Sequence, residues 1–388
     1  MKFPFFKIIV FLTSLLASCQ TLNVRTVAPL PSVVKESSGV IAESNNRFWT
    51  HNDSGGEPVL YQFDSTGALL KTIRISNATN NDWEEIQLDA NGNLYIGDFG
   101  NNNQKRTNLL IYKVLNFKNK TQDSILTAEK IEFSYDNQTA FPPADSLKHF
   151  DAEAMLATLD SIYIFTKDFD TQPYSGKTWI YRLPNVAGKH TAKLISVFET
   201  DNSWKFKGAI TAATKSADGK VVLMSYLKLF VFTDFIGREF WHGRIKALDF
   251  NVLETAQREA ITFLPNDNCR LFITSEDAHG IGGNLSTINL CDYLTKSKDL
   301  AASEPLVKIY PTPSVYDLFF EISSSFMDNF YLKVFNTSGH EIFNKLIPTG
   351  ENKILLENTL FPSSGIYFYR LFQKNNLPVK TGKIIIVK

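Results

Sequence analysis

Asn80–Asn103, NNDWEEIQLDANGNLYIGDFGNNN, contains the pattern that decides the fold. Its first part, Trp83–Leu88, alternates apolar and polar residues, and a second apolar run, Leu94–Gly97, follows a turn rich in Asp, Asn and Gly. The segment therefore predicts a β-hairpin. Acidic residues lie where its first strand begins and where its second strand ends, so the hairpin brings Glu84 and Asp98 to the same end.

The same pattern returns along the chain in a fixed order. Five segments open a strand with an acidic or small residue: Glu36–Ile41, Trp83–Ile86, Asp151–Met155, Gly208–Ala212 and Arg258–Thr262. Each is followed by a strand that ends in polar residues and then by a third strand. A fourth, more variable strand completes four of these units: Leu69–Ile75, Ala128–Tyr135, Ala192–Glu199 and Arg244–Phe250.

Repeated four-stranded units separated by turns are typical of a β-propeller. The fifth unit lacks a fourth strand after Asp292, and Leu22–Ala28 is a strand without another partner. We therefore predict an all-β fold in which residues 22–294 form a five-bladed β-propeller closed by Leu22–Ala28, followed by a small C-terminal β-sandwich. A six-bladed ring is the alternative if two units have been merged, whereas a sandwich of stacked hairpins fits the four-strand period poorly.

Composition and charge exclude one class of partner. The 388 residues include 44% hydrophobic and 21% charged residues, which is typical of a globular protein with a large core. Forty basic side chains balance 40 acidic ones, so no net charge favours nucleic acid or an anionic membrane. The sequence therefore predicts no nucleic-acid partner.

Residues 1–19 have the features of an export signal. Lysines flank the start of an apolar run, Ile8–Leu16, which is too short to span a bilayer. Leu16–Cys19 also resembles a bacterial lipobox, in which Cys19 would become the lipidated first residue. An ordinary cleaved signal peptide and a lipid anchor at Cys19 both stay open, and no other segment is long and apolar enough to cross a membrane.

The other two cysteines, Cys269 and Cys291, form an even pair, as expected in an oxidising compartment. They flank segments that have the pattern of neighbouring antiparallel strands. We predict a disulfide between them, and two buried thiols are the alternative.

The composition changes at residues 295–304, a linker of small and polar residues. Beyond it, residues 305–388 contain short alternating strands separated by Gly-containing turns, which predicts a small β-sandwich. Four motifs occur there in order: KIYPTP (308–313), VFNTSGHEI (334–342), SSGIYFYRL (363–371) and KTGKIIIVK (380–388).

This segment resembles the type A sorting domain of the Bacteroidetes type IX secretion system, although YPTP replaces the usual YPNP. The resemblance implies that the type IX secretion machinery is a partner of residues 305–388. It also implies translocation across the outer membrane and a location at the cell surface or outside the cell.

In a propeller, the start of each innermost strand and the end of the next strand lie on one face, near the central channel. The repeats therefore place a mostly acidic ligand-binding rim on that face: Glu36, Asp53, Glu84, Asp98, Asp151, Asp168, Arg258, Glu259, Glu276 and Asp277. Because few bases accompany these acids, their hard oxygen ligands suit Ca²⁺. We predict calcium at Glu85, Asp98 and Glu153.

The same rim offers candidates for catalysis. Crowded carboxylates push one pKa up, so Glu85 and Glu153 are candidates for a general acid and base, and His51 beside Asp53 is a candidate relay. The alternative is structural, with the acids capping strands and pairing with the few bases. No HExxH, CxxC or GxSxG motif occurs in the propeller segment, so catalysis stays an open question.

Tryptophans are candidates for ligand stacking, although packing between blades is their commoner role in β proteins. The sequence contains five of them: Trp49, Trp83, Trp179, Trp204 and Trp241.

FWTHNDSG (48–55), DWEEIQLDANGNLYIGDFGNN (82–102) and DAEAM (151–155) resemble an exported bacterial propeller family. They are more distantly similar to the SdiA-regulated propellers, in which calcium has been associated with the fold. The resemblance covers about residues 33–290 and implies no settled activity.

We therefore expect an exported ligand-binding module with an acidic, calcium-binding face and a small-molecule or glycan ligand. A calcium-dependent hydrolase, phytase-like or glycosidase-like, is the first alternative. A structural or adhesin-type surface protein is the second.

Overall fold

The computed structural model describes residues 21–235, 237–251, 256–278, 281–294, 307–322, 330–348, 353–373 and 378–388. The predicted signal peptide at residues 1–19, with Cys19, and the predicted linker at residues 295–304 lie outside the described residues. The regular secondary structure of the described part is almost entirely β-strand, as the alternating patterns predict.

The strand β1 (Arg25–Pro29) precedes the first of five four-stranded units, numbered here in chain order. Unit 1 contains β2 (Ser37–Ser44), β3 (Arg47–Asn52), β4 (Val59–Phe63) and β5 (Leu69–Ile75). Unit 2 contains β6 (Trp83–Leu88), β7 (Leu94–Asp98), β8 (Leu109–Val114) and, after the short β9 (Ile125–Leu126), β10 (Glu129–Tyr135).

The next units follow the same plan. Unit 3 contains β11 (Ala152–Ala157), β12 (Ser161–Thr166), β13 (Lys177–Pro184) and β14 (Gly188–Glu199). A single helical turn, α1 (Lys205–Gly208), leads into unit 4, which contains β15 (Ile210–Lys215), β16 (Val221–Ser225), β17 (Lys228–Thr233) and β18 (Arg244–Asp249).

Unit 5 combines strands near residue 270 with the N-terminal strand β1. It contains β19 (Arg258–Phe263), β20 (Arg270–Ser275), the small hairpin of β21 (Asp277–Ala278) and β22 (Ile281–Gly282), and β23 (Asn284–Asn289). A turn of helix, α2 (Cys291–Leu294), follows. The fourth strand is β1, which pairs antiparallel with β23 from Arg25–Thr287 to Pro29–Asn284.

The closing strand begins later than the predicted Leu22–Ala28. Leu22 is buried and its N–H donates to the carbonyl of Asp249 at the end of β18. The first residues of the predicted strand therefore belong to the junction with unit 4, and pairing with β23 starts at Arg25.

The innermost strands β2, β6, β11, β15 and β19 contact one another in that cyclic order, and β19 contacts β2. This arrangement is propeller-like. Aromatic side chains fill the space between units; for example, Phe48 of unit 1 lies edge-on to Phe272 of unit 5, with ring centroids 4.7 Å apart. Burial of one such side chain stabilises the fold by about 1.5–3 kcal/mol.

Parallel pairs join some units at their outer edges. β5 of unit 1 pairs with β9, and β10 of unit 2 pairs with the first half of β14 of unit 3. Units 2 and 3 therefore form one eight-stranded sheet. Thr21, which precedes β1, forms a parallel bridge with Asp249 of unit 4.

A disulfide joins Cys269 to Cys291, with Cα atoms 5.1 Å apart. It ties Cys269, just before β20, to Cys291, the first residue of α2 after β23, so it links two neighbouring strands of unit 5. No helix in the described part of the chain has both the length and the apolar character needed to cross a bilayer.

The C-terminal residues form two sheets around one apolar core that includes Leu332 and Leu371. Their strands are β24 (Val307–Tyr310), β25 (Leu318–Ile322), β26 (Phe330–Phe335), β27 (Glu341–Ile347), β28 (Lys353–Leu356), β29 (Gly365–Gln373) and β30 (Pro378–Ile386). The sheet orders are β24–β25–β28 and β27–β26–β29–β30. A short 3₁₀ turn, Asn358–Leu360, lies between β28 and β29, and others lie earlier in the chain at Phe117–Asn119, Asp145–Leu147 and Phe240–His242.

Candidate functional site

All five innermost strands carry a β-bulge near their first residue. The pairing register with the second strand shifts at the same place in each unit. A bulge leaves one residue unpaired and redirects its side chain. The bulged positions, which we call the bulge ring, are Ser38, Glu84, Glu153, Thr211 and Glu259. All five are buried, and three of them are glutamates.

Three carboxylates converge where unit 1 meets unit 2. Asp53 follows β3, Asp82 precedes β6, and Glu84 belongs to the bulge ring. One oxygen from each lies within 4.8 Å of the others. Oxygens bound to one Ca²⁺ at 2.3–2.6 Å lie within about 5 Å of one another, so the spacing of these three, which we call the carboxylate cluster, fits that ion.

Compensating positive charge is scarce at the carboxylate cluster. Among the described residues, no lysine, arginine or histidine forms an ion pair with Asp53, Asp82 or Glu84, because the nearby bases bond other acids. Ser38 donates to Oε2 of Glu84 at 3.0 Å. Oδ1 of Asp53 is buried without a hydrogen-bond partner among the described residues. An oxygen of this kind is a natural ligand for a cation.

Gly100, in the loop after β7, forms one wall of the carboxylate cluster. A Cβ at this position would lie 2.1 Å from Oε1 of Glu84 and 2.6 Å from Oδ2 of Asp82. Its N–H also donates to the carbonyl of Asp82 at 3.2 Å. Any larger residue would therefore occupy space that the carboxylates now share.

Unit 3 contributes a buried ion pair to the same face. Nζ of Lys167 lies 3.1 Å from Oε1 of Glu153. Burial alone lowers the pKa of Lys167, but the carboxylates of Glu153 and Glu259 raise it, and the result is well above the usual value. Lys167 therefore stays protonated and neutralises part of the bulge ring.

Glu259 of the bulge ring is 4% exposed. Its Oε2 has no hydrogen-bond partner among the described residues. Burial raises its pKa to about 8, with Lys167 opposing the shift and Glu153 adding to it. A second uncompensated oxygen thus lies on the face that holds the carboxylate cluster.

Burial and mutual repulsion also raise the pKa values within the carboxylate cluster. Burial, followed by the charges of Glu153 and Asp82, raises the pKa of Asp53 to about 8. Burial and Glu153 raise the pKa of Asp82 to about 6, and burial with Glu153 raises that of Glu84 well above its usual range. Without a cation, Asp53 therefore holds a proton at neutral pH, whereas Asp82 is mostly ionised there.

Glu85 lies apart from the carboxylate cluster. Its carboxylate accepts the N–H of Ile86 at 3.0 Å and, across the ring axis, the N–H of Ala213 in unit 4 at 3.2 Å. Gln87 donates to the carbonyl of the same Ala213 at 2.9 Å. Burial raises the pKa of Glu85 well above its usual value. Glu85 therefore bridges two units that are not adjacent, and its oxygens already have partners.

The other residues predicted to hold calcium also have partners. Asp98 is buried and forms an ion pair of 2.8 Å with Arg106, and it accepts the N–H of Asp82 at 3.1 Å. Glu153 is the partner of Lys167. Asp98 and Glu153 thus lie close to the carboxylate cluster, but each is already paired with a base.

Two further rim acids bond the backbone of nearby loops. Asp151 accepts the N–H of Asn101 at 2.7 Å, and burial raises its pKa well above the usual range. Asp168 is buried and accepts the N–H of Ser175 at 3.2 Å. These contacts are the strand-capping role that the sequence left open as an alternative.

The remaining predicted rim residues surround the site at different depths. Glu36 and Asp277 are exposed. Glu276 is half-buried, and burial followed by the charge of Asp53 raises its pKa to about 7. Arg258 is buried and donates to the carbonyl of Tyr226 at 3.0 Å.

His51 lies in the core between units 1 and 2. It is fully buried, its Nδ1 is 2.9 Å from the carbonyl of Asn52, and its ring is edge-on to Trp83 at 5.7 Å. Burial lowers its pKa to about 4, with the bond to Asn52 opposing the shift. The imidazole is therefore neutral, and its contacts place it in the core beside Trp83.

Sequence reasoning missed Asp82, Gly100 and Arg106 as parts of the site. The signals were present: Asp82 belongs to the acidic start of the hairpin, and Gly100 and Arg106 lie in the loop that leaves its second strand. What the sequence lacked was the three-dimensional register that brings them against Asp53 of the preceding unit.

A comparison with protein families identifies the C-terminal segment. Residues 308–387 match the family described as a secretion system C-terminal sorting domain. This segment is a type IX sorting domain. The protein is therefore exported through the type IX secretion system to the cell surface or outside the cell, as the sequence predicts.

A comparison with solved structures finds weak similarities that extend over much of the chain. PorZ of Porphyromonas gingivalis, a surface component of the type IX secretion system, is 13% identical, with a TM-score of 0.32 over 91% of this chain and 45% of its own. A putative gluconolactonase is 12% identical, with a TM-score of 0.38 over 69% of this chain and 92% of its own.

A luciferin-regenerating enzyme is 8% identical, with a TM-score of 0.42 over 69% of this chain and 95% of its own. The chain spans about half the length of the first two structures in this comparison, 45% of PorZ and 58% of the extracellular domain of BT4673 from B. thetaiotaomicron. No curated protein is significantly similar to the chain.

Proposed function

We propose that the exported chain is a five-bladed β-propeller that binds Ca²⁺ at Asp53, Asp82 and Glu84 and uses this face to bind a small ligand. The observation that carries the proposal is the convergence of three carboxylate oxygens within 4.8 Å of one another. A distant relation to the SdiA-regulated propellers stays a prediction.

The charges at this face favour a divalent cation. The carboxylate cluster contains two aspartates and a glutamate, and the buried Oδ1 of Asp53 has no partner among the described residues. Hard oxygen ligands of this kind are those that Ca²⁺ prefers in proteins. A bound Ca²⁺ would offset the mutual repulsion of the carboxylates and leave coordination positions for ligand oxygens.

The proposal places the cation differently from the predicted set of Glu85, Asp98 and Glu153. In that set, Asp98 and Glu153 already pair with Arg106 and Lys167. Asp98 and Glu153 would then hold the side chains and loops around the carboxylate cluster in place. Glu85 would keep its bond to Ala213 across the axis.

Calorimetry with CaCl₂ on the full exported chain, prepared in chelator-treated buffer, tests the proposal. We expect one saturable site, and we expect Glu84→Gln to weaken it at least about tenfold, since even loss of a group that only supports a metal ligand costs that much. Glu129→Gln, an exposed substitution of the same type on the outer strand of unit 2, is the control and should leave the affinity unchanged.

Absence of heat together with an unchanged thermal transition in millimolar calcium would overturn the proposal. Equal affinity in the wild type and Glu84→Gln would also overturn it, because calcium would then bind elsewhere.

A further inference from the structure

The acid-bearing face has a second, aromatic side. Unit 4 has Thr211 where units 2, 3 and 5 have glutamates in the bulge ring, and aromatic side chains surround its rim. Trp204 precedes α1, Phe206 lies within it, and Tyr226 follows β16. The ring centroids of Trp204 and Phe206 are 5.1 Å apart, and those of Phe206 and Tyr226 are 5.6 Å apart.

Phe169 of unit 3 completes this group, which we call the aromatic wall: Phe169, Trp204, Phe206 and Tyr226. Phe169 lies edge-on to Phe206, with centroids 5.5 Å apart. Trp204 is 44% exposed, whereas Trp49 and Trp83 are fully buried. An exposed indole at the end of a stack of packed rings presents a rigid apolar surface to a ligand.

Lys167 connects the aromatic wall to the bulge ring. Its Nζ is bonded to Glu153 and lies 5.3 Å from the ring centroid of Tyr226. The charge of Glu259 acts on both Lys167 and Tyr226. The wall and the buried acids therefore border one continuous face rather than two separate surfaces.

The charges already on the aromatic wall decide between ligand classes. Nζ of Lys205 lies 3.8 Å from the ring centroid of Phe169, and Lys167 lies over Tyr226. A cationic ligand that sought these rings would meet two ammonium groups. An anionic ligand would meet the carboxylate of Glu259, whose Oε2 has no partner among the described residues. A neutral ligand avoids both penalties.

We propose that this face binds a neutral saccharide, with one sugar ring packed on Trp204 and its hydroxyl groups directed to the buried acids. The C–H face of a sugar ring is apolar and suits an indole. Its hydroxyls would donate to Oε2 of Glu259, which is buried and has no partner among the described residues.

This inference rests on the proposed function, because other hydroxyls of the same saccharide would complete the coordination of Ca²⁺ at the carboxylate cluster. The ligand would then span the face, with contacts to the aromatic wall on one side and to the cation on the other.

The test is an array of neutral oligosaccharides, with acidic oligosaccharides and trimethylammonium compounds printed beside them. It is probed with the full exported chain in saturating calcium. We expect binding to neutral glycans, and we expect Trp204→Ala to weaken it at least about tenfold, as loss of a central aromatic contact does. Trp241→Ala, the same substitution at a tryptophan that packs on Phe240 away from this face, is the matched control.

Calorimetry with calcium on the same variants separates the two proposals. Trp204→Ala should keep the calcium affinity of the wild type, which also shows that it is folded. Three results would overturn the saccharide proposal alone, provided that calcium still binds. These are no binding to any glycan, a preference for the acidic or trimethylammonium compounds, and equal glycan binding by the wild type and Trp204→Ala. Absence of calcium binding would overturn the proposed function and this inference with it.

Discussion

The two ends of the β6–β7 hairpin carry the same type of residue in opposite circumstances. At the turn, Asp89 accepts the N–H groups of Asn91 and Asn93, each at 2.9 Å, and the hydroxyl of Tyr95 at 3.1 Å. At the open end, Asp82 and Glu84 face another carboxylate, that of Asp53 in the neighbouring unit.

This difference separates a structural acid from a candidate ligand-binding one. A carboxylate that accepts hydrogen bonds from its own turn needs no further partner. Carboxylates that face each other need protons or a cation, because their charges repel and burial weakens their hydration. The position of an acid in a strand therefore says less about its role than the donors around it.

A change of pH should have the largest effect, and it should act on the open end of the hairpin and not on the turn. If calcium binds as proposed, it has to displace the proton of Asp53, whose pKa is about 8, whereas Asp82, with a pKa of about 6, is mostly ionised above that pH. We therefore expect calcium affinity to rise between pH 6 and pH 8, by about tenfold per pH unit for each proton displaced. Calorimetry in buffers of different ionisation heat measures both the affinity and the protons released.

The stability of the metal-free protein should fall as pH rises, whereas the calcium affinity should rise. Because these carboxyls have higher pKa values folded than unfolded, where aspartate titrates near 4, the folded state binds more protons in that interval. Stability therefore falls as pH rises from about 4 to about 8, and calcium should restore it. A calcium-free melting temperature that rises over this range would contradict the prediction, and Asp53→Asn should flatten the slope.

Gly100→Ala should have the next largest effect. The added Cβ would lie 2.1 Å from Oε1 of Glu84, so the carboxylate cluster must widen. We expect calcium affinity to fall about tenfold, as for other changes next to metal ligands. Gly56→Ala is the control, because its Cβ would make an ordinary contact of 3.7 Å with Nδ2 of Asn80. Equal affinities of the two variants would show that Gly100 does not shape the site.

Asp89→Ala should have the smallest effect on calcium affinity. It therefore tests whether the two ends of the hairpin act independently. The variant loses the acceptor for several turn donors, and we expect the free energy of unfolding to fall by about 1–3 kcal/mol. Urea denaturation measures this loss. Calcium affinity should equal that of the wild type, and a clear weakening would mean that the two ends of the hairpin are coupled.

Much of the fold was predictable because strand patterns are local. The alternating runs, the order of four strands and the need for a closing strand near the N-terminus were all present in the sequence. The exact start of the closing strand was not predictable, because it depends on a hydrogen bond from Leu22 to Asp249, which is far away in the sequence.

The site was predictable only in part. Glu84 and Glu85 are neighbours, and whether one or the other joins the rim depends on a bulge that exists only once β6 pairs with β7. The positions equivalent to Glu85 in the other units hold Gly39, Ala154, Ala212 and Ala260, which suggests a crowded position at the axis.

The strand that closes the ring has a consequence for the order in which the site is assembled. Asp53, Asp82 and Glu84 come from units adjacent in sequence, whereas β1 pairs with β23 near the other end of the propeller segment. Contacts between neighbouring units form sooner than contacts between distant parts of a chain, because less chain entropy is lost. If this cluster binds Ca²⁺ as proposed, it can take up the ion while the ring is still open, and the ion would then link units 1 and 2 early in folding.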